Sequence, residues 1–156
     1  MRYYGILLVI LLFTGCISPP VTYYLDATNG DDGNSGLSAE SAWKTLERVK
    51  GLNLKSGERL LFKRGEVFRG ELSISAEGSL ESPVIIDASA HAVHIFNSDY
   101  LTLQNLEIVN HGNIPLPGRS GLKVECYDYG VSHNIRINNV TVRDVNGSLV
   151  KEAGGG

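Results

Sequence analysis

Apolar and polar residues alternate along most of this chain, in runs too short for helices and interrupted by Asn, Asp, Gly and Ser. The alternation is written twice near the end. The segment DYLTLQNLEIVNHG, from Asp99, returns as HNIRINNVTVRDVNG, from His133, and the copies align at Asn105 and Asn139, 34 residues apart. Leu101, Leu103, Leu106 and Ile108 fall opposite Ile135, Ile137, Val140 and Val142. Each copy reads as two short strands meeting at an Asn. A unit this small cannot bury its own apolar face and has to stack on its neighbours. Short strands with inward branched aliphatics, a bend and a fixed period predict an all-β chain wound as a parallel β-helix.

Upstream segments fit the same plan. Val21 to Asp26 reads as a first strand, Glu58 to Lys63 as a second and Val67 to Ser75 as a third, with Leu72 and Ile74 on one face. Pro83 to Ile86 is more continuously apolar, as expected of a strand with neighbours on both sides. Val93 and Ile95 begin the repeating coils, and Leu122 and Val124 take the same places one coil later. Between them, NIPLPGRS (113–120) is a proline-bearing insertion of the kind that walls a binding groove. One helix is predicted ahead of the strands: Ser41 as N-cap, Ala42, Leu46 and Val49 on one face, and Gly51 after Lys50 as the stop. Its expected role is to cover the open apolar end of the stack.

The amino terminus is of another kind. Met1 and Arg2 precede the apolar run GILLVILLF, which is too short for a permanent membrane span and reads as a secretory signal over residues 1–15. The tetrapeptide FTGC resembles the lipobox of bacterial lipoproteins, with Phe13 where Leu is usual. That resemblance implies lipidation at Cys16, a tether over 16–21 containing Ser18-Pro19-Pro20, and an address at the cell envelope. An ordinary cleaved signal would make the protein secreted instead. One Arg leaves with the signal, so 13 basic residues stand against 17 acidic ones, a net charge of −4. That mild acidity argues against nucleic acid or an anionic membrane surface as partner. With Cys16 lipidated, Cys126 has no disulfide partner. Residues 22–156 then form one domain, expected to be a monomer. The final Ala-Gly-Gly-Gly carries no capping helix, so the chain reads as about three coils that form the head of a longer β-helix.

From Tyr23 to Gly70 the sequence resembles the opening of exported bacterial right-handed parallel β-helix proteins of the pectate-lyase-like superfamily. Gly30, Asp32, Asn34, Gly36, Leu37 and Ser38 match the family's G-x-D-x-N-x-G-L-S loop. Trp43, Thr45 and Leu46 match its P-W-x-T-L segment, with Ala42 in place of Pro. Gly57, Leu60, Phe62 and Gly65 match the following turn and strand, with Glu58 in place of Asp, and DVNGSL (144–149) resembles the family's coils. The resemblance implies action on polysaccharide, by a lyase with bound calcium and a basic residue or by a glycoside hydrolase with paired carboxylates. It also implies that such groups project from middle coils, which would leave this chain inactive alone. A non-catalytic module that grips glycan or protein is the alternative.

Candidate chemistry falls in three places. Asp26, Asn29, Asp31, Asp32 and Asn34 form the densest set of hard oxygen ligands, suited either to calcium or to an Asx-turn network. Asn105 and Asn139 occupy equivalent bends and suggest a stacked amide ladder. Glu125, Asp128 and His133, with Lys123, His111 and Tyr127 nearby, are the candidates for acid–base work, and the bland reading is a solvated outer face. Tyr100, Tyr127 and Tyr129 are candidate stacking surfaces for sugar rings.

Overall fold

The computed structural model describes residues 19–88 and 92–147. The chain is all-β and passes alternately between two parallel sheets. Strands β1 (Thr22–Leu25), β3 (Arg59–Phe62), β5 (Val84–Asp87), β7 (Leu101–Val109) and β9 (Arg136–Arg143) lie in that order in one sheet. The other holds β2 (Asn53–Lys55), β4 (Glu71–Glu77), β6 (Ala92–Phe96) and β8 (Leu122–Glu125). Each circuit of chain therefore adds one strand to each sheet. The segments expected from alternation are present; β2, with a single apolar residue, was not expected. The signal, Cys16 and the terminal glycines lie outside the described residues.

Parallel register aligns the inward aliphatics in columns. Leu60 pairs with Ile86, Ile86 with Leu103 and Leu103 with Ile137. On the second sheet Leu72, Val93 and Leu122 form one column, and Ile74, Ile95 and Val124 another. Leu60, Ile86, Leu103, Leu72, Ile74 and Ile95 are wholly buried, each stabilising the fold by about 2 kcal/mol relative to exposure. The last members of the columns differ: Ile137 is 48% exposed and Val124 42%, although they occupy interior register.

Strands β7 and β9 pair at the 34-residue offset read from the repeat, from Thr102 with Arg136 to Val109 with Arg143. Both bend at their central Asn, which adopts the left-handed conformation with φ of 56° at Asn105 and 51° at Asn139. Asn tolerates that region best among residues with a Cβ. Beyond the bend their second halves pair with each other, whereas β5 pairs with β7 only over Leu101–Gln104.

The expected capping helix is not formed. A single 3₁₀ turn, Leu46–Arg48, stands in its place. The cause lies twelve residues upstream. Asp32 Oδ1 accepts the N–H groups of Lys44 (2.8 Å) and Thr45 (2.9 Å), and Oδ2 accepts the Thr45 hydroxyl (2.7 Å). Trp43 runs extended beside Leu25, exchanging backbone bonds with Tyr24 and Asp26. Ser41 spends its hydroxyl on Ser38 and Ser35 rather than on a helix. Covering the end of the stack thus falls to Trp43, stacked on Tyr23 at 5.3 Å with Arg48 over its ring, and to Leu46 and Val49. The loop closes around the indole, whose N–H donates to the Asn34 carbonyl. At Gly36 a Cβ would meet the indole at 2.3 Å, and φ there is 74°.

We expect Gly36→Ala to destabilise the domain by about 2–4 kcal/mol, through the clash and the left-handed backbone together. Gly51→Ala, at φ 73° with open space around it, should cost only about 1 kcal/mol. Denaturant titration of both variants checks the difference; equal losses would show that the indole contact contributes nothing.

Candidate functional site

A concavity of about 550 Å³ is a step in the fold. Strands β3 and β5 stop at Phe62 and Asp87, while β7 and β9 run on past their Asn bends. The gap is lined by the turn Lys63–Val67, by Asp87 and Ala88, and by Asn105, Glu107, Val109, Asn139 and Arg143. The proline-bearing loop at 113–120 does not line it. That loop is closed at its neck by Asn110, which donates to the Ser120 carbonyl (2.7 Å), and by Asn146, which bonds both backbone groups of Gly112.

A polar ladder crosses the groove. Asn139 Nδ2 donates to Asn105 Oδ1 at 3.0 Å, and Asn105 Nδ2 donates to Asp87 Oδ2 at 2.9 Å. Gln104 Nε2 reaches the same oxygen at 3.4 Å, and the Arg64 guanidinium lies 3.6 Å from it. Arg143 pairs with Glu107 and Asp144 on the opposite rim. At the edge nearest the cap, Lys63 Nζ is 2.8 Å from Asp26 and 3.1 Å from Glu66. Glu66 Oε2 also accepts the N–H of Ala27 at 2.6 Å. The Asn29 N–H and then Lys63 hold the Asp26 carboxyl far below its usual range. Burial opposes ionisation of Glu66, but donors from Thr28, Lys63 and Ala27 together outweigh it. The groove therefore presents fixed carboxylates, amides and guanidinium groups against an apolar wall of Phe62, Val67 and Val109. Groups of these kinds can exchange hydrogen bonds with hydroxyls.

The oxygens of the acidic loop serve the loop itself. Asp26 accepts the N–H groups of Thr28 and Asn29, Asp31 that of Gly33, and Asp32 those of Lys44 and Thr45; Asn34 donates to the Ala42 carbonyl. The loop carboxylates thus form an Asx-turn network in which backbone N–H groups take up oxygens of Asp26, Asp31 and Asp32. Among the described residues no group of three or more His, Cys, Asp or Glu is placed to hold a metal ion.

Glu125, Asp128 and His133 lie away from the groove. Glu125 ends β8 on the other sheet, where it meets His94 Nε2 at 2.8 Å, Lys123 at 2.5 Å and the Tyr127 hydroxyl. Glu71 lies 3.5 Å from the other nitrogen of His94. Lys123 and Tyr127, with a smaller part from His94, hold the Glu125 carboxyl down at about 2. In this arrangement Glu125 stands as a carboxylate bonded to Lys123, Tyr127 and His94. His133 pairs instead with Asp99, through its N–H (2.7 Å) and ring Nδ1 (3.1 Å). Asp128 is exposed at a left-handed turn position, and His111 is exposed at the start of the proline loop. Glu107, Asp87 and Arg143 were not among the sequence candidates. The one available signal was the Asn105/Asn139 pair, since a ladder at a bend marks where strands overrun their neighbours.

No protein-family model matches the chain. Over 93 residues, 60% of this chain, it is 30% identical to alpha-1,3-galactosidase A of Akkermansia muciniphila, covering 15% of that protein. Over 79 residues, 48% of this chain, it is 33% identical to lacto-N-biosidase of Bifidobacterium longum subsp. longum, covering 5% of it. The crystal structure of the GH136 lacto-N-biosidase from Eubacterium ramulus, as its selenomethionine derivative, superposes on 85% of this chain with a TM-score of 0.68 at 25% identity. The native form of the same enzyme superposes with a TM-score of 0.63. The chain spans 28% of that solved structure and far less of the two sequence relatives.

Two expectations follow. Glu125 is ordinarily near 4.5 and is held at about 2 in the folded state, so its contribution is complete above pH 4.5 and lost as pH falls through 2. Asp26, Asp32 and Asp99 are lowered in the same sense. Melting temperature should therefore fall steadily from pH 4.5 to 2, and less steeply in Glu125→Gln; identical profiles would remove Glu125 from the account. In the ladder, Asn105→Leu should lower the melting temperature more than Asn139→Leu. The first loses bonds on both sides and the second on one. Unchanged melting in both would dismiss the ladder as a source of stability.

Proposed function

We propose that the chain forms part of a right-handed parallel β-helix that acts on oligo- or polysaccharide by glycoside hydrolysis, and that the groove beside β7 and β9 is where it holds sugar. The observation that carries this reading is the groove itself: a step in the sheet whose amides, carboxylates and guanidinium groups are held in place by one another. Sugar hydroxyls are recognised by groups of this kind when their geometry is fixed beforehand. Right-handedness is supported by the crossovers, because about 98% of parallel strand connections within one sheet take that hand. The similarity to a galactosidase and to lacto-N-biosidases favours hydrolysis over the lyase reading. Export with lipid at Cys16 belongs to the same proposal, since it would set the domain among extracellular glycans.

Calorimetric titration of the chain with a panel of neutral and uronic-acid oligosaccharides tests this. The wild type should bind a neutral member, and Arg143→Ala combined with Glu107→Gln should weaken binding about tenfold, the loss of one good polar pair. A wild type that binds no glycan, or a groove variant that binds as well as wild type, overturns it.

A further inference from the structure

Left-handed backbone is concentrated at two corners of the fold. Seven non-glycine residues among those described have positive φ. Asn105 and Asn139 lie in the strands that border the groove, and Asp144 directly follows β9. The other four are Asn97 (44°), Tyr100 (48°), Asp128 (46°) and Asn134 (52°). These sit in two successive turns at a different corner: 97–100, leading from β6 to β7, and 126–135, leading from β8 to β9. A tyrosine at φ 48° is an outlier, because its Cβ crowds the backbone there. Such conformations persist where surrounding contacts over-determine them, and they gather at binding sites.

Here the lower turn acts as a template for the upper one. Asn97 Oδ1 accepts the N–H of Tyr127 at 2.7 Å, and the Asn97 N–H donates to the Glu125 carbonyl at 3.0 Å. The Tyr100 N–H donates to the His133 carbonyl at 2.8 Å, while Asp99 takes the His133 N–H. The upper turn is thus held at both ends by the circuit beneath it. It presents Tyr127 and Tyr129, alternate residues that are 54% and 36% exposed. Each phenol is tied down by a carboxylate, Tyr127 to Glu125 and Tyr129 to Asp99 at 2.8 Å. The Tyr129 hydroxyl is held in its protonated, donating form, its titration pushed up to about 12 by Asp99. Fastening two rings at their hydroxyls while leaving them exposed contributes little to a core. It does fix their orientation before any ligand arrives.

We propose that Tyr127 and Tyr129 form a second glycan contact, an aromatic platform for a neutral pyranose unit, separate from the groove. The apolar C–H face of such a sugar packs on an aromatic ring, and Lys123 in β8, paired with Glu125, and His133, paired with Asp99, share the phenols' carboxylates and can meet its hydroxyls. Glu125, Asp99 and Asp128 outweigh Lys123 in charge, which disfavours a uronic acid. The proposal rests on the glycan reading of the chain, and the groove and the platform would engage different units of one extended ligand or two separate ligands.

The test is calorimetric titration of the full chain with a neutral galactose-containing tetrasaccharide, with a galacturonic-acid tetrasaccharide as the contrast. Tyr127→Ala/Tyr129→Ala should lose about tenfold in affinity, or one of two binding events, while the Arg143→Ala/Glu107→Gln variant keeps the platform event. Tyr127→Phe/Tyr129→Phe, which keeps the rings and frees them, should fall between the alanine pair and wild type. In NMR titration of the wild type, the ring resonances of both tyrosines should shift with the neutral sugar and not with the acidic one. A folded alanine pair with wild-type binding overturns the platform and leaves the groove reading intact. If the alanine pair does not fold, tyrosine resonances that stay fixed while the sugar binds overturn it equally. No binding by wild type overturns both.

Discussion

Each circuit of this chain has an apolar side that only the next circuit can cover. Leu60, Ile86 and Leu103 are buried because each has a partner above and below in parallel register, and Ile137, in the same column, is half exposed. The remaining architecture follows from keeping that register. Among the described residues no circuit lies beneath the first, and Trp43, Leu46 and Val49 cover its apolar side. The turns repeat because a slip of one residue would send every inward side chain outward. Polar groups that cannot avoid the stack are paired vertically, circuit to circuit, as in Asp87–Asn105–Asn139.

This vertical pairing also explains where the chemistry collects. Side chains at a corner meet residues one circuit away, about thirty positions distant in sequence, more readily than their own neighbours. Glu125 meets His94, His133 meets Asp99, Asn146 meets Gly112 and Lys63 meets Asp26. The corners that carry these pairs are cross-linked from one circuit to the next. Two clusters retain open surface: the groove at the Asn bends and the tyrosine turn on another corner.

Much of this was legible in the sequence and some was not, for physical reasons. The alternating strands and the offset of the repeat could be read because period and register are the same information. The amide pair could be placed for the same reason. Strand β2 escaped because three residues with one apolar position carry no periodicity. The helix expected from Ser41 failed because Asp32, remote in sequence, captures the amides of Lys44 and Thr45. The groove was invisible because it depends on where β5 ends relative to β7, a difference in strand length that no single residue announces. Glu125, Asp128 and His133 looked like neighbours along the chain, yet the fold turns Glu125 and His133 toward different partners in the circuit below.

The step between β5 and β7 separates two properties that most binding sites couple. The volume of the groove is set by how many residues each strand contributes before its turn, whereas its chemistry is set by the side chains that line it. Substitution alone can change which groups a ligand meets without altering the space it occupies. Insertion or deletion near residue 88 would lengthen or shorten β5 and resize the space while leaving Asn105, Glu107 and Arg143 where they are. Frame and lining can therefore vary independently, and the length of the groove is a property of the backbone count.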